Sequence, residues 1–443
     1  MKIKNIKYLL LSQILFLFTP PSLANNMDLL SVYQQGMRNN FDVNIANQEL
    51  ITTKEQVPLS YSEYLPKANI NGRYSYDMQD GTATEHQARY FPSKSAGLEL
   101  LQPILNAPAL YSIKQAYLSV DSSKTRLSSI SQQVALRISE SYFALLAAEE
   151  NMTVATAERN SYKQSYEQAK SSFEVRAATL ADKMEAKSRL DIAIANELSA
   201  RAAVDIAHET LVNIVGEIPK SIAKLKQNSK LPEVENGSMD IWIEKSIQNN
   251  LETKLGTQAI DLANMEISKN RAGHLPSLNL IANYTYSDTS NFFFGQREFT
   301  SRDGSVAVQL NIPIFNGGYT LAKTKEAVAI KNTQKTRLLK VKASIALESK
   351  RAYLNLVNGL PNIKALQEAL NSSENVLETT KEGFKAGIRT RLDILNAQQQ
   401  LFSTKRDLAL AKYEYIINYL RLKFYAGELE GNEINSINAL LNN

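Results

Sequence analysis

The chain repeats itself at long range. Met27-Asp28, Asn39-Asn40, Gln48, Leu65-Pro66 and Tyr74-Ser75-Tyr76 return as Met239-Asp240, Asn249-Asn250, Gln258, Leu275-Pro276 and Tyr284-Thr285-Tyr286. From the Asn-Asn pair onward the offset is constant at 210 residues (249 less 39, 275 less 65, 284 less 74). It persists where Pro103-Ile104-Leu105-Asn106 answers Pro313-Ile314-Phe315-Asn316. Solenoid repeats run to only about 20–50 residues, so this spacing predicts one large unit that has been duplicated. The copies are expected over residues 25–237 and 238–443. Each has the same order of parts: helix, two strands, then a very long helical hairpin, with a short C-terminal segment closing the second.

The first residues predict a secretory signal peptide over residues 1–24: Lys2, Lys4 and Lys7, an apolar stretch from Tyr8 to Phe18, and the small-x-small site Ser22-Leu23-Ala24. The apolar stretch is too short for a membrane anchor. Without the three lysines, the 50 basic residues become 47 against 45 acidic ones, which gives no case for nucleic-acid binding. There is no cysteine, which excludes a disulfide framework and a Cys-linked lipid. No later stretch reaches ~18 consecutive apolar residues, so a membrane role would require strands.

Between Pro108 and Gly216 the chain has neither Gly nor Pro, and helix-forming residues dominate. Such a span predicts a coiled coil or helical barrel. Half of it would make a rod of roughly 80 Å. The second copy, Tyr319 to Tyr425, matches in length, with breaks expected at Gly359-Leu360-Pro361 and at Gly383–Gly387. Ile394, Leu401, Leu408, Tyr415 and Leu422 recur every seven residues, and Leu395, Phe402, Ala409 and Ile416 form a second stripe beside them. A period of seven marks side-by-side helix packing. Two adjacent stripes predict a neighbour on each side, as in a ring of helices, although an ordinary bundle or dimeric coiled coil has the same period.

Four segments alternate at the strand period, over about residues 66–77, 94–105, 276–287 and 304–315. Ile70, Gly72, Tyr74 and Tyr76 alternate with Asn71, Arg73 and Ser75; Val306, Val308, Leu310 and Ile312 alternate with Ser305, Gln309 and Asn311. About ten residues is what a tilted membrane strand needs, with lipid on the apolar face and water on the polar one. A half-buried sheet over a soluble core would alternate in the same way, but helices this long leave no compact core to cover. The connections Met78–Pro92 and Asp288–Asp303 are expected to be loops whose aromatics, Tyr90-Phe91 and Phe292-Phe293-Phe294, suit a membrane interface. Four strands cannot close a barrel and lipid forbids open edges, so several protomers must share one.

On these marks the chain resembles the TolC-type outer-membrane efflux proteins, in their unlipidated branch. The resemblance spans the mature chain and rests on Val32-Tyr33-Gln34-Gln35, Gly273-His274-Leu275-Pro276, Ile312-Pro313-Ile314-Phe315-Asn316-Gly317-Gly318, Ala386-Gly387-Ile388-Arg389-Thr390 and the duplication. It implies an α+β membrane protein: a homotrimeric 12-stranded outer-membrane β-barrel, continued by a 12-helix α-barrel in the periplasm. It implies an exit duct for type I protein secretion and multidrug efflux. Its partners would be a periplasmic adaptor (membrane fusion protein), an inner-membrane ABC or proton-driven pump, and outer-membrane lipid.

No enzyme constellation is present. His86, His208 and His274 are scattered, without carboxylates or Cys at ligand spacing, and no phosphate loop or nucleophile elbow occurs. No cofactor, metal or catalytic residue is expected. Interest falls on the two helix turns, where Phe173 leads to Asp182 and Phe384 to Asp393 at equal spacing. By resemblance these are the periplasmic tips, with Val175, Arg176, Ala177, Gly387 and Ile388 meeting the adaptor. Arg176 stands where the family commonly has Gly, a strain of ~1 kcal/mol if the turn needs positive φ. Asp393 resembles the family's entrance ring, which would draw cations; the family's second Asp is here Asn396. Arg389 resembles a lock residue bonded to Asp182, and Phe384 replaces a Tyr that would be the other lock donor. The competing class is a structural or adhesive surface coiled coil without transport.

Overall fold

The computed structural model describes residues 27–79, 89–216, 222–226, 230–234, 237–290 and 298–441. The expected signal peptide, His86 and Phe292-Phe293-Phe294 lie outside them. The first run of elements is α1 (Leu29–Asn39), α2 (Phe41–Ser62), β1 (Lys67–Gln79), β2 (Arg89–Leu105), α3 (Ala107–Glu174) and α4 (Leu180–Val215). The second is α5 (Met239–Asn249), α6 (Leu251–Ala272), β3 (Ser277–Ser290), β4 (Glu298–Asn311), α7 (Tyr319–Lys385) and α8 (Arg391–Tyr425), followed by α9 (Gly431–Asn438).

The long hairpins are lopsided. The α3 helix has 68 residues, about 100 Å, whereas α4 has 36, so the expected equal rods are not what forms. The α2 helix supplies the missing length. It lies along the first half of α3, where Glu49 meets Arg126 and Asp42 meets Arg137, while α4 lies along the second half, where Glu197 meets Arg159. The ends of α4 and α2 meet at the Asn-Asn pair. Asn40 accepts from the Asp42 and Val43 N–H groups, capping α2, and its amide donates to the Ile214 carbonyl of α4. Asn250 does the same, accepting from Glu252 N–H and donating to the Tyr425 carbonyl of α8. One side-chain amide thus satisfies orphan groups on two helices, and the repeated asparagines are the joints of the rods.

The two stripes of α8 face two neighbours. Leu401 packs with Leu377 of α7, and Leu408, Tyr415 and Leu422 pack with Ala352, Leu356 and Ile363 of the same helix. Leu395 packs with Tyr162 and Ala169 of α3, and Ile416 joins the core around Ile138, Tyr142 and Phe143. Charge ties the same seam: Glu158 of α3, nearly buried, pairs with Arg406 of α8 at 2.8 Å.

Two further readings of the sequence need correction. Helix α7 does not break at Gly359-Leu360-Pro361; it runs through Pro361 to Lys385. Proline removes one helix hydrogen bond, but the neighbour holds the helix there. A Cβ on Gly359 would sit 2.7 Å from the Tyr415 ring, and that close approach continues the α7–α8 seam. The break at Gly383–Gly387 does end α7. The strands are also longer than expected toward the loops, with β1 reaching Gln79, β2 starting at Arg89, β3 reaching Ser290 and β4 starting at Glu298; β4 ends at Asn311, short of the expected 315. Tyr90 and Phe91 therefore belong to β2, not to a loop, and Tyr76 stacks on Tyr90 with centroids 6.3 Å apart. Cross-strand aromatic pairing extends the ladder beyond the alternating core.

The sheet is antiparallel in the order β1-β2-β3-β4. Its register puts Ile70, Leu98, Tyr284 and Gly304 in one row and Ala68, Leu100, Ala282 and Val306 in the next. The opposite face carries Asn71, Gly97, Thr285 and Asp303, and then Asn69, Glu99, Asn283 and Ser305. Ile70 is 86 % and Val306 76 % exposed, so among the described residues the apolar face is largely uncovered. Among the described residues neither outer edge, β1 nor β4, has a strand partner. Among the described residues no helix is long and apolar enough to cross a membrane.

Candidate functional site

The two hairpin turns carry the residues singled out from sequence. In the first, Thr179 caps α4: its hydroxyl accepts from Asp182 N–H at 3.1 Å and Asp182 accepts from Thr179 N–H at 2.9 Å. In the second, Thr390 accepts from Asp393 N–H at 3.2 Å and Asp393 accepts from Thr390 N–H at 2.7 Å. Both are capping boxes, with the carboxylate on the positive end of the helix dipole. The Thr179 hydroxyl, then its N–H, hold the Asp182 carboxyl below the usual carboxylate value, with Arg391 adding to the effect. The Thr390 N–H and hydroxyl, helped by Arg389, do the same for Asp393. The cap therefore works against the protonation that crowded carboxylates would favour.

The preceding loop turns through a left-handed residue in each case. Gly387 has φ 79 and Arg176 φ 61; Arg176 is the one non-Gly residue with positive φ among those described. Val175 is 74 % and Ile388 80 % exposed, and Ala177 and Gly387 are exposed beside them. Each turn presents an apolar tip.

Arg389 and Asp182 are not brought together within the chain. The stem of Arg389 passes over Gly383, where a Cβ would lie 2.7 Å from its Cγ, and its charge acts on Asp393. The cation near Asp182 is Arg391. Arg391 also sets its guanidinium 5.1 Å over the Phe384 ring and donates to the Ser172 hydroxyl of α3 at 3.3 Å. Phe384 is thus a platform for a cation. The sequence reading missed Arg391, although it stands at the first position of α8, where the helix dipole disfavours a cation. Asn396 faces α4 and accepts from Arg189 at 3.3 Å. Of the histidines, His208 lies on α4 and His274 in the turn between α6 and β3, and no group of His, Asp or Glu among the described residues is arranged to hold a metal.

The chain matches the family model described as "Outer membrane efflux protein" over residues 32–217 and 242–428. It is 27 % identical to Outer membrane protein TolC of Vibrio cholerae serotype O1, over 93 % of each chain. It is 28 % identical to Alkaline protease secretion protein AprF of Pseudomonas aeruginosa, over 91 % of this chain and 85 % of that one. Among solved structures it resembles the CmeC outer membrane channel of Campylobacter jejuni, with a TM-score of 0.79 at 17 % identity, over 95 % of this chain and 91 % of that one.

Proposed function

We infer from membership of the outer membrane efflux protein family, to which this chain belongs, that it is an outer-membrane exit duct for secretion and efflux. The observation that carries the reading is one open sheet joined to rods about 100 Å long. The sheet's bare apolar face suits lipid and its opposite face suits water. Its free β1 and β4 edges need partners, because unpaired backbone in lipid costs several kcal/mol per group. Three copies joined edge to edge give 12 strands, and the helices below them continue the same wall as a tunnel. The 210-residue duplication makes such a trimer close to six-fold, so two unlike hairpins alternate around the mouth.

The chain carries no chemistry; it supplies a path, and an inner-membrane ABC or proton-driven pump supplies the energy. The exposed Val175 and Ile388, beside Arg176, Ala177 and Gly387, form the surface offered to a periplasmic adaptor. Asp393 lines the entrance as a ring of three carboxylates when trimeric, with Asn396 leaving the next level neutral. Arg389, unbonded to Asp182 inside one chain, reaches it only across a protomer boundary, and that pairing would hold the mouth shut. The mature chain begins after residue 24, once the signal has directed export. A structural or adhesive coiled coil would leave the apolar sheet face and its edges without a role.

The test is reconstitution of the full-length mature protein into planar bilayers. Stepwise channel conductance is the expected result. Protein that remains in outer-membrane fractions yet never conducts would overturn the reading.

A further inference from the structure

The α4 and α8 helices of the two hairpins run side by side at the tip and share a small apolar cluster: Ala186, Ala193 and the partly buried Leu190 of α4, with Leu395 the one large α8 side chain in it. One side chain spans the seam. Arg189 of α4 donates through Nη1 to Gln399 Oε1 at 2.6 Å and through Nη2 to Asn396 Oδ1 at 3.3 Å, both on α8. Its Nε donates to Glu185 Oε1 of its own helix at 3.1 Å. The planar guanidinium thus uses its fork on two helices at once, a geometry that Lys cannot reproduce.

The arrangement has no counterpart in the other copy. The two tips align at 211 residues (393 less 182), which places Gln400 opposite Arg189, and Gln400 turns to Thr404 of its own helix. The same offset places Asn396 opposite Glu185. One turn beyond each capping Asp there is therefore an acceptor, Glu185 on α4 and Asn396 on α8, and Arg189 holds both. A neutral amide at 396 suits this, since the guanidinium already has a carboxylate and Glu185 is already neutralised.

We propose that Arg189 is a latch that holds α4 against α8 at the tip, so that it is a positioning residue for the closed state of the duct. The proposal rests on reading the chain as a channel whose helical end opens. Opening on this reading parts α4 from α8, and among the described residues the side-chain hydrogen bonds between these two helices are the two that Arg189 makes. Losing them parts α4 from α8, while α8 stays tied to α3 through the Glu158–Arg406 and Arg391–Ser172 pairs.

Single-channel conductance in planar bilayers tests this. Arg189→Ala is expected to raise conductance about twofold, and Arg189→Lys by less, because a single ammonium cannot keep both bonds. Asn396→Ala combined with Gln399→Ala removes the acceptors while leaving α4 untouched, and should reproduce the rise even where Arg189→Ala fails to assemble. Thermal stability is measured alongside, since a merely structural arginine would lower stability without opening the pore. Channels of unchanged conductance in the acceptor double variant overturn the latch. Absence of any conductance in the wild-type protein would instead remove the channel reading itself.

Discussion

The two hairpin turns follow one plan and differ where the backbone must reverse. Each ends a helix of more than sixty residues, and each starts the next with a Thr cap and an Asp three positions on. Each sets a cation over the turn's phenylalanine: Lys183 lies 5.2 Å from the Phe173 ring and Arg391 5.1 Å from the Phe384 ring. Yet the left-handed residue is Gly387 in one and Arg176 in the other. Charge and capping have been kept in both copies, while the backbone strain falls on one alone. The two turns can therefore share a shape and still differ in what they do at the mouth.

The sharpest way to separate them is to remove each capping carboxylate in turn. Asp182→Ala and Asp393→Ala both lose a capping box, but only Asp393 is assigned to the cation ring. Asp393→Ala is expected to lower block by periplasmic trivalent ions about tenfold and to reduce cation preference, with Asp182→Ala near wild type. Asp393→Asn, which keeps an acceptor for the cap, should match Asp393→Ala. Reversal potentials and trivalent-ion titrations on single channels read all three; equal effects of the two alanines would erase the distinction between the turns.

A smaller effect is expected from the arginine of the second turn. Arg389→Ser should raise single-channel conductance about twofold if its bond to Asp182 crosses between protomers, where a partly shielded charge-assisted bond is worth ~1.5–3 kcal/mol. Unchanged conductance would take Arg389 out of the gate.

The backbone difference can be inverted. Arg176→Gly should stabilise the first turn by ~1 kcal/mol, and Gly387→Ala should destabilise the second by a similar amount, since only glycine adopts positive φ freely. Thermal unfolding midpoints report both. The caps should respond to acid alike. Both Asp carboxyls titrate below their ordinary value of 3.8 in the folded chain. Their contribution is therefore present above that value and is lost as pH falls through the depressed one. Hydrogen exchange at the first turns of α4 and α8 should rise together below about pH 4; a rise in one alone would show that the caps are not equivalent.

How much of this was legible in the sequence varies with how local the cause is. The duplicated asparagines were visible as a repeat, but their partners, Ile214 and Tyr425, lie about 175 positions away, so their role as joints was not. The stripes of α8 predicted two neighbours correctly because a heptad pattern is itself a statement about neighbours. Gly359 and Pro361 read as a break because local propensity says so; Tyr415 packed into the gap overrides it. The strand ends were misplaced because polar, aromatic residues beyond the alternating core still pair. Arg189 gave no signal: a lone arginine on a polar helix face looks like any solvated one until Asn396 and Gln399 are set opposite it.

The account turns on β1 of one chain pairing with β4 of the next. Because the chain has no cysteine, the measurement is direct. Cysteine is placed at Asn71 on the polar face of β1 and, in turn, at Asp303, Ser305, Ala307 and Gln309 on the same face of β4, and outer membranes are oxidised. Two strands separate β1 from β4 within one chain, so a disulfide there can form only between chains. A covalent trimer at one of the β4 positions is the predicted result; monomer at every position, from protein that still conducts, would contradict the shared barrel.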